Sequence, residues 1–167
     1  SYSVTGVQTC ALPIWQFLTR ICMITRFFPG RYESLEEIAE FVRSIAQAAG
    51  LSPFETYKLE TAVDEACSNI IEHAYCGISD GVIEFTILTT PEAITIILKD
   101  NGRKFSPDSV LPPDVNAPLK KRKDHGLGIF IIRKWMDDVQ FDYIDGHNIL
   151  TMTKYRDCTP DEPCSSF

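Results

Sequence analysis

Two rhythms of apolar and polar positions run along this chain, and the switches between them lay out its elements. From Ile21 to Phe28 the residues are apolar and β-rich and stop at Pro29-Gly30, which predicts a first strand. Leu35, Ile38, Phe41, Val42 and Ile45 then recur at helical intervals. Ser34-Leu-Glu-Glu37 ahead of them has capping-box spacing, and Gly50 supplies the stop. Ser52-Pro53-Phe54-Glu55 reads as a second start, with Ser as the cap and Pro at the first helical position. This second helix runs to about Tyr75, with Leu59, Val63, Ala66 and Ile70 as its buried stripe.

The rhythm then changes to period two. Val82–Leu88 alternates as a strand should, Pro91-Glu92 turns the chain, and Ala93–Lys99 completes a hairpin. An irregular stretch, 106–124, carries Pro107, Pro112, Pro113 and Pro118, and a loop of that length inside a domain is usually functional. Ile129–Met136 reads as a third helix, and Val139–Ile144 and Asn148–Lys154 flank Asp145-Gly146 as a closing hairpin. Strands that come in hairpin pairs argue against a doubly wound fold. The expectation is α+β, a two-layer α/β sandwich with a mixed, mostly antiparallel sheet and helices on one face.

Length adds that the 167 residues fit one domain. Residues 1–20 stand apart: they contain no acidic residue, no basic signal-peptide start, and a Pro13 within their apolar part. The run Gly6–Ile14 resembles the translation of a short-read sequencing adapter, so 1–20 is expected to be an artefactual or disordered extension. The domain proper is placed at 21–155, with 156–167 a disordered Pro-, Asp- and Ser-containing tail. A net charge of −7 argues against a general nucleic-acid binder, which needs a basic face. No apolar run is long enough to span a bilayer. Six cysteines without a Cys-x-x-Cys pair or zinc spacing fit a reducing, cytoplasmic setting.

Candidate chemistry concentrates on helix two. Glu65, Asn69 and His73 fall at i, i+4 and i+8 and so lie near one helix face. A carboxylate, an amide oxygen and an imidazole in a row suit a hydrated Mg²⁺ and a phosphate chain, since magnesium takes oxygen ligands and keeps waters. Taken alone, the row reads equally well as the solvent side of an amphipathic helix. No P-loop motif occurs anywhere.

Three motifs in one order decide between these readings. Glu65-Ala-Cys-Ser-Asn69-Ile-Ile-Glu-His73-Ala resembles the N-box of the GHKL (Bergerat-fold) ATPase superfamily. Asp100-Asn-Gly102-Arg-Lys-Phe105 resembles its first glycine box, and His125-Gly126-Leu127-Gly128 its second. The resemblance spans roughly residues 27–154 and is nearest to the anti-sigma-factor serine/threonine kinase branch. It implies ATP and Mg²⁺ as cofactors. Asn69 would give its side-chain oxygen to the metal, Glu65 would be the catalytic base, and His73 would sit near the phosphates. Asp100 would accept from the adenine amino group, with Gly102 leaving room for the ring. The 106–124 segment would be a lid, and Gly126 and Gly128 would bring backbone N–H groups to the phosphates.

Two positions depart from the family pattern. Relatives often carry a cation close before the second glycine box; here Asp124 and His125 stand nearest, and Lys123 or Arg122 would substitute. The last strand's polar residue near ATP would be Thr151 or Asn148. The implied activity is that of an ATP-dependent protein serine/threonine kinase that acts as an anti-sigma factor and phosphorylates an anti-anti-sigma antagonist. The implied partners are a sigma factor, that antagonist and a second copy in a homodimer, with no direct nucleic-acid or membrane partner. The alternative is a non-catalytic, ATP-gated protein-binding switch. Glu65 separates the two, since a sensor has no use for a base.

Overall fold

The computed structural model describes residues 21–76, 81–107 and 127–156. The expected N-terminal extension, the tail from 157, and most of the 106–124 segment lie outside these residues, as do Lys123, His125 and Gly126. The elements are β1 (Cys22–Pro29), α1 (Ser34–Ala48), α2 (Pro53–Asn69) with a π-helical continuation (Ile70–Tyr75), β2 (Val82–Thr89), β3 (Ala93–Asp100), α3 (Leu127–Trp135), β4 (Asp138–Ile144) and β5 (His147–Tyr155). The five strands form one sheet in the order β1-β2-β3-β5-β4. Every pairing is antiparallel, so the expected mixed component is absent among the described strands.

Alternation along the strands gives the sheet one buried face. Phe28, Ile83, Phe85, Ile87, Ile94, Ile96, Leu98, Leu150 and Met152 point to it and share one core with α1, α2 and α3. Phe28, Phe41 and Phe85 meet at centroid separations of 5.8–6.3 Å, joining β1, α1 and β2. The stripe Leu59, Val63, Ala66 and Ile70 is buried as its spacing predicts. Among the described residues no helix is long and apolar enough to cross a membrane.

Helix starts follow the sequence in one case and not in the other. Ser52 caps α2, its side chain accepting from the Glu55 N–H at 3.2 Å. Ser52→Ala removes that acceptor and should cost about 1 kcal/mol in denaturant unfolding; an unchanged midpoint would show that the cap carries nothing. The predicted capping box at Ser34 does not form. Glu33 precedes α1 without a side-chain cap, and the Ser34 hydroxyl donates to the Pro29 carbonyl at 2.8 Å. Because Ser34 is buried against the end of β1, the tertiary acceptor wins over the local one.

The end of the second helix carries the largest departure. From Ile70 to Tyr75 the winding is π-helical, and Cys76 ends it in the left-handed region at φ 46°. Such single-turn π segments are rare and gather at functional sites. Here the segment is pinned by Tyr75. A Cβ on Gly30 or Gly81 would stand 2.5–2.6 Å from the Tyr75 ring, so both positions must stay bare. The Tyr75 hydroxyl donates to the Val82 carbonyl at 2.5 Å and accepts from the Val82 N–H at 3.1 Å. The helix end is thereby tied to the end of β1 and the start of β2.

Candidate active site

The last residue of β3 opens the site. Asp100 faces the helix layer at only 4% exposure. Its Oδ1 accepts from the Gly102 N–H at 2.8 Å and from the Asn148 amide at 2.9 Å. Burial pushes the Asp100 carboxyl above its ordinary pKa, partly offset by these two donors and by His147. A carboxyl raised on folding binds its proton more tightly in the native state. Its contribution is therefore fully present below the unfolded pKa and is lost as pH rises through the folded one. Wild type should accordingly lose stability relative to Asp100→Asn as pH climbs through that window. Parallel stability–pH curves for the two proteins would contradict the assignment.

The loop after Asp100 is clamped to the π segment. The Arg103 N–H donates to the Ala74 carbonyl at 2.9 Å, and a Cβ on Gly102 would lie 2.6 Å from both the Cβ and the carbonyl oxygen of Ala74. Gly102 is thus required by a protein contact, where the family resemblance gives it the role of making room for the base. The pinned π end and the loop are one unit, so the winding at Ile70–Tyr75 sets where Asp100 and its neighbours stand.

The opposite wall comes from α2 and α3. A Cβ on Gly128 would stand 2.7 Å from Glu65 Oε2 and 3.1 Å from Asn69 Nδ2, so the bare backbone at the start of α3 sits directly on the N-box side chains. Burial, with Asp64 and Glu72 nearby, raises the Glu65 pKa. That moves the group toward the range in which a general base works best. The Asn69 amide nitrogen is buried without a hydrogen-bond partner among the described residues. An orphaned buried donor carries a desolvation cost that a ligand acceptor would remove. The Asn69 side-chain oxygen, its unspent amide nitrogen and the bare backbone of Gly128 fit a hydrated Mg²⁺ carrying a phosphate chain. No cluster of three or more His, Cys, Asp or Glu exists among the described residues.

Between the walls lies a cavity of about 530 Å³, with Asn69, His73, Asp100, Asn148 and Ile129 among its lining. Its floor follows from strand register. Asn148 pairs with Asp100 on one side and Tyr143 on the other, and the next row inward on that face puts Leu150 and Phe141 in the lining, with Leu98 buried beside Leu150. That is a polar rim over an apolar bed, the usual make-up of a small-molecule site.

The predicted site residues are not all brought together. Asn69, His73 and Asp100 line the cavity, whereas Glu65 lies beside Asn69 against Gly128 and is outside the lining. His73 does not continue the Glu65–Asn69 row. It belongs to the π segment, where each residue advances by a smaller rotation, and its side chain is half exposed. Leu127 is the exposed first described residue of α3. Thr151 is a correction. On β5 the buried residues are Asn148, Leu150, Met152 and Lys154, so Thr151 points to the other face of the sheet. Asn148, the other candidate, holds the site position. Sequence reading missed Arg103, Lys104, Phe105, Phe141 and Tyr143, all of which line the cavity. The aromatic alternation of Phe141 and Tyr143 on β4 was the available signal.

Comparison with known proteins agrees with this geometry. Residues 28–154 match the model of the histidine kinase-like ATPase domain. The serine-protein kinase RsbW of Listeria monocytogenes is 34% identical over 138 residues, covering 79% of this chain and 86% of that protein. The RsbW of Bacillus mycoides is 32% identical over 133 residues, covering 76% and 81%. A solved structure of the RsbU and RsbW domains of a Mycobacterium tuberculosis protein superposes with a TM-score of 0.58 at 12% identity, over 80% of this chain and 32% of that one, which is a likeness of fold. With the N-box, the first glycine box and the fold in agreement, the chain belongs to the histidine kinase-like ATPase family, in the branch of the RsbW serine-protein kinases.

Proposed function

We propose that this chain is an ATP- and Mg²⁺-dependent protein serine kinase that binds a sigma factor and phosphorylates a serine or threonine of an anti-anti-sigma antagonist. The observation that carries the kinase reading is Glu65. Its carboxylate, raised in pKa, touches the same cradle as Asn69 and Gly128. An ATP-gated switch would need Asn69 and Asp100 and would gain nothing from a carboxylate there.

In this reading Asp100 accepts the adenine amino group over the bed of Leu150 and Phe141. The phosphates reach toward Asn69 and the start of α3, where backbone N–H groups favour anions. Magnesium, held by Asn69 with water and phosphate oxygens, would neutralise charge on the phosphates. Glu65 takes the proton from the incoming hydroxyl as that oxygen bonds to the γ-phosphorus, and the bond to the β,γ-bridging oxygen breaks to leave ADP. His73 at the cavity rim faces the phosphate side, and Lys123, His125 and Gly126 belong to the lid and second glycine box of the same reading. We place the protein in the cytoplasm and, as the family resemblance implies, in a homodimer.

The test is incubation of the full chain with γ-labelled ATP, Mg²⁺ and the antagonist protein encoded nearest to it. Label on a serine or threonine of the antagonist is the expected result. ATP-dependent complex formation without label would establish the switch instead.

A further inference from the structure

The start of β5 holds a side chain that makes three hydrogen bonds. Asn148 is 8% exposed and lies between Asp100 on β3 and Tyr143 on β4. Its Nδ2 donates to Asp100 Oδ1 at 2.9 Å and to the Arg103 carbonyl at 3.0 Å, and its Oδ1 accepts from the Phe105 N–H at 2.8 Å. The partners fix the amide's orientation: two acceptors face the nitrogen, and one donor faces the oxygen. Among side chains of this size, only an amide offers two donors and an acceptor. An aspartate would set oxygen against two oxygens, and a leucine would strip the Arg103 carbonyl and the Phe105 N–H of their partner and leave Asp100 Oδ1 with the Gly102 N–H alone.

This arrangement divides the carboxylate of Asp100. Both protein donors, Gly102 N–H and Asn148 Nδ2, fall on Oδ1. Among the described residues no hydrogen bond falls on Oδ2, and Asp100 lines the cavity. One oxygen holds the loop and the other remains an acceptor for a ligand. The same amide holds the 103–105 backbone, so the loop, the carboxylate and the cavity wall move together.

We propose that Asn148 is the positioning residue that sets purine selectivity, holding Asp100 as a pure acceptor so that a base with an exocyclic amino group binds and one with a keto oxygen at that place is rejected. The inference rests on the reading that Asp100 receives the base. A site built to accept a donor rejects an analogue lacking it strongly, because a keto oxygen would meet a carboxylate oxygen across a buried contact. Without Asn148 the carboxylate is free to turn and the loop to shift. The amino preference then falls while the apolar bed still binds either ring.

The experiment compares ATP with ITP, which differ at that one edge of the purine, by calorimetric titration of the full chain with Mg²⁺. Wild type should prefer ATP. Asn148→Leu should lower the ATP-over-ITP ratio about tenfold or more, a change of ~1.4 kcal/mol. Should the leucine variant fail to fold, as judged by thermal unfolding, Asn148→Ser serves the same comparison, since one hydroxyl cannot reach Asp100, Arg103 and Phe105 together. A wild-type ratio in the folded variant overturns the proposal, even if both affinities fall, because a purely structural loss weakens the two nucleotides alike. Asp100→Ala separates this from failure of the underlying reading. If it abolishes the preference while the Asn148 variant keeps it, only the role of Asn148 is wrong. If it leaves the preference intact, the base does not sit at Asp100 and both fall.

Discussion

Glu65→Gln is expected to abolish phosphoryl transfer while leaving ATP affinity and fold intact. Glutamine keeps the size and the oxygen of the side chain but cannot take a proton. Loss of a positioned general base lowers rates about 10²- to 10⁴-fold, and the turnover of labelled ATP onto the antagonist should fall by that much. Stability should hold or rise, because burial and the charges of Asp64 and Glu72 disfavour the carboxylate that the substitution removes. Gain of stability with loss of activity is the pattern expected where a site keeps an unfavourable charge for function. Transfer at the wild-type rate would remove Glu65 from the mechanism and leave the kinase reading without its base.

Asn69→Ala should remove the magnesium-dependent share of ATP binding. The side chain projects from the last residue of α2 beside Gly128, and its amide nitrogen is an unpaired buried donor. Loss of a group that holds a metal typically costs about 10- to 100-fold in metal affinity, so ATP affinity in Mg²⁺ should drop about ten- to hundredfold. With the metal chelated, wild type and variant should bind nearly alike. Equal affinity in the presence of Mg²⁺ would contradict the metal assignment. A loss that persists with chelator would move Asn69 from the metal to the phosphate itself.

Much of this site was readable from the chain because its parts obey local rules. Ser52-Pro53 started α2 where the spacing said, and the period-two run Ala93–Lys99 put Asp100 at a strand's end, where the structure buries it. The N-box residues lay on one helix because α winding holds from Pro53 to Asn69. The reading broke where distant contacts overrode local pattern. His73 was aligned with Glu65 by a 3.6-residue period, but the π turn begins at Ile70. What holds that turn is Tyr75 against Gly30 and Gly81, and no spacing rule links those three positions. Ser34 obeyed the buried Pro29 carbonyl instead of its own helix.

Thr151 and Asn148 could not be separated by motif. Once the strand register is known, the parity of β5 separates them at once. The significance of Asn148 was invisible for a similar reason. Its partners are Asp100, Arg103 and Phe105, more than 40 residues away in sequence. Gly102 was picked out by its motif, while its close approach to Ala74 at the end of the π segment was not legible in the sequence.

The claim on which the rest depends is that one cavity takes the base at Asp100 and the phosphates at Asn69 and Gly128. A crystal structure of the full chain with a non-hydrolysable ATP analogue and Mg²⁺ tests it directly. The account predicts the adenine amino group within hydrogen-bond distance of Asp100 Oδ2, the metal on Asn69 Oδ1, and the phosphates against the start of α3. A nucleotide bound with its base away from Asp100, or with its phosphates remote from Asn69 and Gly128, would contradict it.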